Sequence, residues 1–285
     1  MTRALESART AKILQANPKL TMQIGGYNYQ IDHSVYTVSD GKDTLRIPID
    51  WAFGQGTAGQ TYLFQRDGRW YESRVSYFSA LHSLDLTIGM QNITPHNLLE
   101  AAGRLAGTSE AGQCFDCHAT GVVKSQPHPD LSRMIEGVQC ERCHGVTEAH
   151  LRAQAPMRKL GALTTEEMSD FCGQCHRTWS QIAMNGPHGI LNVRFQPYRL
   201  GNSKCYDTAD RRIRCTACHD PHRAVETSTA SYDVKCLACH ASKMCRVATK
   251  DCVTCHMPKL DLPGAHAKFT DHKIRVVKAN EPYPD

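Results

Sequence analysis

The sequence predicts an α+β protein: a small antiparallel β module on the N-terminal side, followed by a region of short helices and coil. Residues 27–78 alternate apolar and polar side chains around turn-forming stretches, as strands do. Residues 114–256 lack that alternation and repeat one pentapeptide six times. The chain is only 7% aromatic and has a negative mean hydropathy, so something besides large side chains must fill part of its core.

The elements before the repeated pentapeptides are predicted in order. Residues 2–16 form a short amphipathic helix that ends before Pro18. The strands of the β module then flank two turns, at residues 39–42 and 66–69. Residues 94–106 form a helix that leads into the first pentapeptide. Further on, residues 164–175 form a better helix, because Thr164 and Glu167 have the spacing of a capping box.

Residues 54–59 read G-x-G-x-x-G, which is also the pattern of a dinucleotide-binding loop. That fingerprint requires a helix N-terminus after the glycines to hold the pyrophosphate. Here a strand and a turn follow instead. We therefore interpret the glycines as a tight connection between strands.

The repeated pentapeptide is C-x-x-C-H, the attachment signature of c-type haem. Two thiols at this spacing can each form a thioether to one vinyl group of the same porphyrin, and the next His can reach the iron as proximal ligand. A zinc site, a thioredoxin-like motif or a disulfide scaffold requires neither the adjacent His nor six repeats. The anchors are Cys114 and Cys117, Cys140 and Cys143, Cys172 and Cys175, Cys215 and Cys218, Cys236 and Cys239, and Cys252 and Cys255; the proximal ligands are His118, His144, His176, His219, His240 and His256.

Six covalently attached haem c groups would account for the missing core. Each haem is a large apolar body, so the segment that carries it needs few large side chains of its own. We predict two domains: residues 1–105 with the helix and β module, and residues 106–285 with a haem-filled core and a polar C-terminal tail on the surface. Without haem, residues 106–260 are expected to be largely unfolded, because ligand binding and folding are coupled.

Nine further histidines could supply second iron ligands, although each could equally be an ordinary surface residue. His150, His222, His266 and His272 stand out, since they lie close to the motifs or flank the last one. His128 and His188 also lie in the haem segment. The remaining three, His33, His82 and His96, belong to the N-terminal region, where one could cap the first haem. Met residues are alternative ligands, but core packing is their commoner use.

Two cysteines, Cys205 and Cys245, are left over from the motifs. Both could be free thiols. Haem is attached to such motifs outside the bacterial cytoplasm, where disulfides persist, so we predict a Cys205–Cys245 disulfide.

Charge and targeting signals narrow the class further. The formal charge of +5 is offset by about −1 for each ferric haem, so it is not a nucleic-acid signal. No run of about 18 apolar residues predicts a membrane span. The expected compartment is periplasmic or cell-surface, yet residues 1–10 lack the apolar stretch of a signal peptide. We therefore expect that an N-terminal segment is missing from this sequence.

Three segments carry a family resemblance: residues 137–145 (GVQCERCHG) with His150, residues 215–222 (CTACHDPH), and residues 252–259 (CVTCHMPK) followed by FTDH at 269–272. They resemble the multihaem cytochromes of the cytochrome c-554 type, which are related to hydroxylamine oxidoreductase and pentahaem nitrite reductase. The resemblance covers roughly residues 106–275. It implies stacked and perpendicular haem pairs, mostly bis-His iron, and electron transfer from haem to haem.

Two details qualify the resemblance. No C-x-x-C-K is present, and Lys is the proximal ligand of the catalytic haem in typical pentahaem nitrite reductases. The β module resembles one found before the haem segment in environmental members, where a further C-x-x-C-H often lies just before the equivalent of Met1. The resemblance therefore suggests a seventh haem upstream.

The resulting hypothesis favours an electron carrier over a catalyst. We expect it to serve redox partner proteins, to be peripheral to a membrane at most and to bind no nucleic acid. The alternative is an oxidoreductase acting on a small nitrogen or sulfur substrate at one five-coordinate haem. Its pocket could be lined by Arg177, Arg194, Arg199 or Arg211. A third hypothesis is a scaffold, in which the β module docks the cytochrome to a partner or to copies of itself and forms a conductive assembly; an exposed strand edge would favour it.

Overall fold

The structure is a computed structural model that describes residues 1–122, 129–145, 147–153, 157–241, 245–278 and 280–285. Its contacts divide the chain into unit 1, which is Met1–Arg158 with Gly264–Ala267, and unit 2, which is Lys159–Pro263 with Lys268–Asp285. The predicted α+β class is confirmed, with strands concentrated in unit 1. The predicted boundary at residues 105/106 separates haem-free from haem-bearing sequence and stays a prediction.

Unit 1 contains eleven strands in its described part: β1 Leu5–Ser7, β2 Lys19–Ile24, β3 Tyr27–Asp32, β4 Val35–Ser39, β5 Thr44–Pro48, β6 Trp51–Phe53, β7 Gly59–Arg66, β8 Arg69–Ser73, β9 Val75–Phe78, β10 Ser83–Leu86 and β11 Gly103–Leu105. Its helices are α1 Lys12–Ala16, α2 Leu98–Ala102, α3 Thr108–His118, α4 Cys140–His144 and α5 Thr147–Ala153.

The strands form two antiparallel sheets. One has the order β2-β3-β4-β5, and the other the order β1-β6-β7-β8-β11, with β9 and β10 joined to it through β7. The alternation seen in the sequence places Tyr29, Ile31, Tyr36 and Val38 inward, all at most 1% exposed. Both predicted turns are confirmed, since they join β4 to β5 and β7 to β8.

Two predicted helices of unit 1 are wrong in extent. Residues 5–7 form β1, which pairs with β6, and only Lys12–Ala16 is helical. Leu5 is fully buried in the apolar cluster that also holds Phe53 and Phe115, so sheet packing outweighs the weak helical pattern. Similarly, α2 ends at Ala102 and the chain continues as β11. Gly103 permits this, because a Cβ there would lie 2.1 Å from the carbonyl oxygen of Glu72.

The G-x-G-x-x-G stretch is a tight connection between β6 and β7, as interpreted from the sequence. Gly54 has φ of +101°, a conformation that L side chains rarely adopt, and a Cβ there would lie 2.7 Å from the oxygen of Gly59. The side chain of Gln60 closes the loop by donating to the Gly54 carbonyl at 2.9 Å. No helix follows, so the loop lacks the phosphate-binding end of a dinucleotide site.

Unit 2 is built from short helices: α6 Thr165–His176, α7 Trp179–Asn185, α8 Gln196–Gly201, α9 Cys215–Cys218, α10 Thr229–His240 and α11 Cys252–His256, with 3-10 helices at Leu160–Ala162, Gly189–Arg194 and Arg211–Ile213. A hairpin of β12 Lys259–Asp261 and β13 Lys268–Thr270 follows. The predicted capping box is confirmed: Thr164 and Glu167 bond each other's backbone N–H at the start of α6.

Unit 2 buries little apolar material of its own. Among its described residues, four side chains of the Val, Leu, Ile, Met and aromatic types are buried: Met168, Ile182, Val193 and Leu262. Several large apolar side chains are instead exposed, including Trp179, Met184 and Val234. A region of this size with so few buried side chains does not close a hydrophobic core.

The C-terminal tail was predicted to lie on the surface, but one of its residues is part of the interior of unit 2. Asp271 is fully buried and accepts two hydrogen bonds from fully buried Arg199, at 2.8 and 3.0 Å. The guanidinium of Arg199 also donates to the Pro284 carbonyl at 2.7 Å and lies over the ring of Tyr283. The tail is thus held to the rest of unit 2 by the buried side chain of Arg199. No helix in the described part of the chain is long and apolar enough to cross a membrane.

Candidate haem attachment sites

Each of the six C-x-x-C-H motifs includes a helical turn. The motifs end α3, α6 and α10, and they make up all or most of α4, α9 and α11. In a helix, residues three apart lie on the same face. The two thiols of each motif therefore project to one side, and the His follows at the end of the turn.

Cys205 and Cys245 are both free thiols in the structure. The predicted Cys205–Cys245 disulfide is therefore wrong. Cys205 lies instead in the electrostatic neighbourhood of Cys239, an anchor of the fifth motif, while burial raises the pKa of its thiol. Throughout the described ranges, no three His, Cys, Asp or Glu side chains converge as they would around a bare metal ion. The twelve motif cysteines are arranged in pairs, one pair to a turn.

The first motif packs against the β module through Phe115, the residue that follows its first cysteine. Phe115 is fully buried, and its ring lies 6.0 Å from Trp51, 5.3 Å from Phe53 and 5.4 Å from Trp70, between ring centroids. Burial raises the pKa of Cys114 to about 11, with Glu72 and Glu110 contributing. This contact fixes where the haem-bearing turn of α3 leaves the sheet.

Three of the proximal histidines have their Nδ1 atoms engaged by oxygen acceptors. His118 Nδ1 lies 2.9 Å from the Ala4 carbonyl, His256 Nδ1 lies 2.8 Å from the Arg275 carbonyl, and His176 Nδ1 lies 3.1 Å from Gln196 Oε1. A carbonyl oxygen only accepts, so Nδ1 carries the proton in each ring. Nε2 then has its lone pair available, which is the orientation that metal-ligating histidines adopt.

In unit 2, cysteines of successive motifs contact one another. A hydrogen bond with Cys172 of the third motif lowers the pKa of Cys215 of the fourth. Burial raises the pKa of Cys236 of the fifth motif, and Cys252 of the sixth motif hydrogen-bonds to it. Cys218 of the fourth motif also lies within electrostatic reach of Cys236. The four motifs therefore follow one another as neighbours in space as well as in sequence.

A carboxylate ties the last two motifs together. Asp233, which lies on α10 just before Cys236, accepts hydrogen bonds from the backbone N–H groups of Asp251 and Cys252 at 2.7 and 2.8 Å. These bonds lower the pKa of Asp233. Because Cys252 begins α11, the carboxylate also satisfies the open N–H end of that helix. Sequence analysis missed this residue, since only its position reveals its role.

Among the predicted second ligands, His272 lies near a motif histidine. Its ring centroid is 6.1 Å from that of His219, with 40° between the planes. Its Nδ1 lies 2.9 Å from the Thr270 carbonyl. Burial lowers the pKa of His272 to about 4, so the ring is neutral near pH 7, as a metal ligand must be.

The other predicted second ligands have different surroundings. His266 Nε2 lies 2.6 Å from Asp85 Oδ2 in unit 1. His222 and His188 are exposed, and their Nδ1 atoms lie 3.2 Å from Asp220 and 3.0 Å from Asp285. His150 is exposed on α5, and His128 lies outside the described residues. Their roles as ligands stay predictions.

Of the four arginines considered for a substrate pocket, Arg199 and Arg211 have their guanidinium groups bonded to other parts of unit 2. Arg199 is sealed in the pair with Asp271, and Arg211 donates to the carbonyls of Gly161 and Leu163. Burial lowers the pKa of Arg194, and the charge of neighbouring Arg177 lowers it further. Arg177 directly follows the motif residue His176, so these two cations lie beside the third motif.

Taken together, the described residues fit covalent haem. The motif thiols are grouped by helical turn, three motif histidines have Nδ1 bonded to an oxygen acceptor, and the described part of unit 2 buries little apolar material of its own. The residues that would hold the groups are the twelve motif cysteines and six motif histidines named above.

Comparisons with known proteins agree with this chemistry. Residues 69–145 match the family model described as cytochrome c554 and c-prime. The structure is similar to the crystal structure of outer cell wall cytochrome OcwA, with a TM-score of 0.50 and 12% identity, over 79% of this chain and 68% of that chain. The family model covers less than half of the chain, and at 12% identity the similarity to OcwA is one of fold.

A third similarity is to proprotein convertase subtilisin/kexin type 6 of Rattus norvegicus, 30% identical over 140 residues. The match covers 45% of this chain but only 14% of the convertase. So small a share of that protein carries none of its activity to this chain.

Proposed function

We propose that this protein carries electrons between redox partner proteins through six covalently attached haem c groups, most of which have two His ligands. When bound, each haem supplies an iron centre that exchanges one electron reversibly. The protein's own part is to fix the spacing of these centres, hold their axial histidines and keep water away from them.

The observation that carries this proposal is the contact between cysteines of successive motifs in unit 2. Cys172 hydrogen-bonds with Cys215, Cys218 interacts electrostatically with Cys236, and Cys236 hydrogen-bonds with Cys252. A thioether places its sulfur directly on the edge of a porphyrin. Haems attached at these neighbouring sulfurs would lie close to one another, which is the arrangement that a relay needs.

The residues around the motifs suit a relay because they fix geometry without offering a reactive group. The Nδ1 contacts of His118, His176 and His256 hold their rings in one orientation. Asp233 joins α10 to α11, and the Arg199–Asp271 pair locks the tail. Rigid six-coordinate iron changes little when its charge changes, which favours transfer over catalysis.

One observation favours a second candidate, an oxidoreductase acting on a small nitrogen or sulfur oxyanion. Arg194 is half-buried beside Arg177, and its Nε atom has no hydrogen-bond partner among the described residues. Two positively charged side chains beside the third motif would favour the binding of an anion there. A haem propionate would satisfy them equally well, so the observation supports this candidate less than the sulfur contacts support the relay.

The remaining parts of the proposal concern location and partners. Multihaem c-type cytochromes are matured outside the cytoplasm, so we propose a periplasmic or cell-surface location, peripheral to a membrane at most. Redox proteins are the proposed partners. Self-assembly through the edge of the four-stranded sheet, at β2 or β5, stays open, because those strands end the sheet.

The test is a haem count together with spin-state spectroscopy on holo-protein made with the haem-maturation machinery. The pyridine haemochrome assay should give six haems per chain, and EPR and CO-difference spectra should show low-spin iron that is inert to CO. A high-spin haem that binds CO in the unmodified protein, with turnover of nitrite, hydroxylamine or sulfite, would replace the relay by the oxidoreductase.

A further inference from the structure

We propose that His272 is the second axial ligand of the iron that His219 holds, so that the haem anchored at Cys215 and Cys218 has two His ligands. This inference rests on the proposed function only in assuming that haem is attached at the fourth motif. It assigns a pairing that the sequence leaves open, since nine histidines compete for the second positions.

The distance between the two rings fits one shared iron. An imidazole nitrogen lies about 2 Å from the metal it binds, so two rings on opposite sides of one ion have centroids about 6 Å apart. The rings of His219 and His272 are 6.1 Å apart. This spacing is too wide for direct stacking contact between the rings, but it suits an intervening metal.

The hydrogen bond of His272 leaves the required nitrogen available. Its Nδ1 lies 2.9 Å from the carbonyl oxygen of Thr270, which only accepts, so Nδ1 carries the proton. Nε2 is therefore unprotonated and can bind a metal ion. The Thr270 carbonyl belongs to the end of β13, which pairs with β12 and gives the ring a rigid support.

The backbone around His272 is held on both sides. Ser203 Oγ donates to the His272 carbonyl at 3.2 Å and accepts from Ile274 N at 2.8 Å. The preceding residue, Asp271, is fully buried and bonded to Arg199, and its N–H donates to the Pro258 carbonyl at 2.9 Å. A residue fixed by this many bonds can act as a preorganised ligand.

The nearest competitor in sequence has a different environment. His222 lies three residues after His219, but its side chain is 73% exposed and its Nδ1 lies 3.2 Å from Asp220 Oδ1. His222 would have to leave solvent and turn back within its own segment to reach the same iron. His176 is electrostatically close to both rings, but it is the proximal residue of the third motif.

The test compares His272→Ala and His222→Ala in holo-protein, with the haem count measured first. His272→Ala is expected to keep six haems and to convert one of them to a high-spin, CO-binding centre. His222→Ala should leave the EPR and CO spectra of the fourth haem unchanged. A new CO-binding haem in His222→Ala and none in His272→Ala would overturn the pairing.

A variant that lacks the fourth haem tests which haem His272 serves. The double variant Cys215→Ala/Cys218→Ala should carry five haems, and adding His272→Ala to it should create no new CO-binding centre. If the new centre appears there as well, His272 serves a different iron and the pairing is wrong. The proposed relay is judged separately, by the spin states of the unmodified protein.

His272→Met guards against a fold defect in the alanine variant. Met can ligate haem iron and raises its potential relative to His. The variant should stay low-spin, and potentiometry should find one of six haems shifted to a higher potential. An unchanged set of potentials would show that residue 272 does not touch iron.

Discussion

Replacing Asp271 with Asn is expected to destabilise unit 2 by about 3–5 kcal/mol, the usual cost of removing one partner from a buried ion pair. Both side chains of the Arg199–Asp271 pair are fully buried. Arg199 also donates to Asn192 Oδ1 and the Pro284 carbonyl. Those neutral acceptors would remain, but the guanidinium charge would no longer be compensated. An Asn side chain would also turn its amide N–H toward one of two guanidinium groups, because Arg275 donates to Asp271 Oδ2 at 2.6 Å.

The measurement is urea and thermal unfolding of holo-protein, followed by circular dichroism. For a unit of this size, a loss of that magnitude lowers the melting temperature by roughly 10–20 °C. Glu281→Gln is the matched control. It makes the same change of charge in the same tail, on a partly exposed partner of Arg275 at 2.9 Å, and should cost less than about 1 kcal/mol. The reasoning is refuted if Asp271→Asn has the same unfolding midpoint as Glu281→Gln, or if Glu281→Gln lowers the free energy of unfolding by as much as Asp271→Asn.

The remaining predictions concern acid stability, the core and the haem count. Burial raises the pKa of Asp271, but hydrogen bonds from Arg199 and Lys273 outweigh it and leave it below its ordinary value. Its contribution is therefore complete above the unfolded pKa of about 3.9 and is lost as the pH falls through the folded pKa; acid titration should show a step in the native protein below about pH 4 that Asp271→Asn lacks. Phe115→Ala should cost about 3–5 kcal/mol in unit 1, whereas Phe115→Leu should cost clearly less, as urea unfolding can show. Protein made without haem should keep amide protection in the β module and lose it in unit 2; native-like protection of unit 2 would contradict the haem-filled core. Cys205→Ser and Cys245→Ser should each keep six haems by pyridine haemochrome, whereas Cys140→Ala/Cys143→Ala should keep five.

The parts of the fold that could be predicted from sequence are those that local pattern determines. Alternation with period two gave the strands from Tyr27 to Phe78, and a capping box gave the start of α6. The motifs were readable because their chemistry fixes a spacing of residues along the chain. In each case the information lies within a few consecutive positions.

The predictions were wrong where contacts between residues far apart in the sequence determine the local structure. Residues 5–7 are strand because β6 offers an open edge and an apolar cluster to Leu5. Residues 103–105 are strand because Gly103 lets two backbones approach closely. The predicted disulfide failed because sequence spacing does not show whether Cys205 and Cys245 meet in space, and in the structure both are free. None of these neighbours can be identified from local periodicity.

The second iron ligands show the same limit most sharply. His266 and His272 are six residues apart, flank the last motif alike, and were equivalent as sequence predictions. In the structure, Nε2 of His266 is engaged by Asp85, while His272 has its Nδ1 bonded to a carbonyl and its ring opposite His219. What separates them is the buried Asp271 next to His272, which pairs with an arginine 72 residues away. A proximal ligand is specified by its own motif, whereas a second ligand is specified by whatever fixes its segment. For the proposed ligand His272, that is an ion pair whose two halves carry no signature in the sequence.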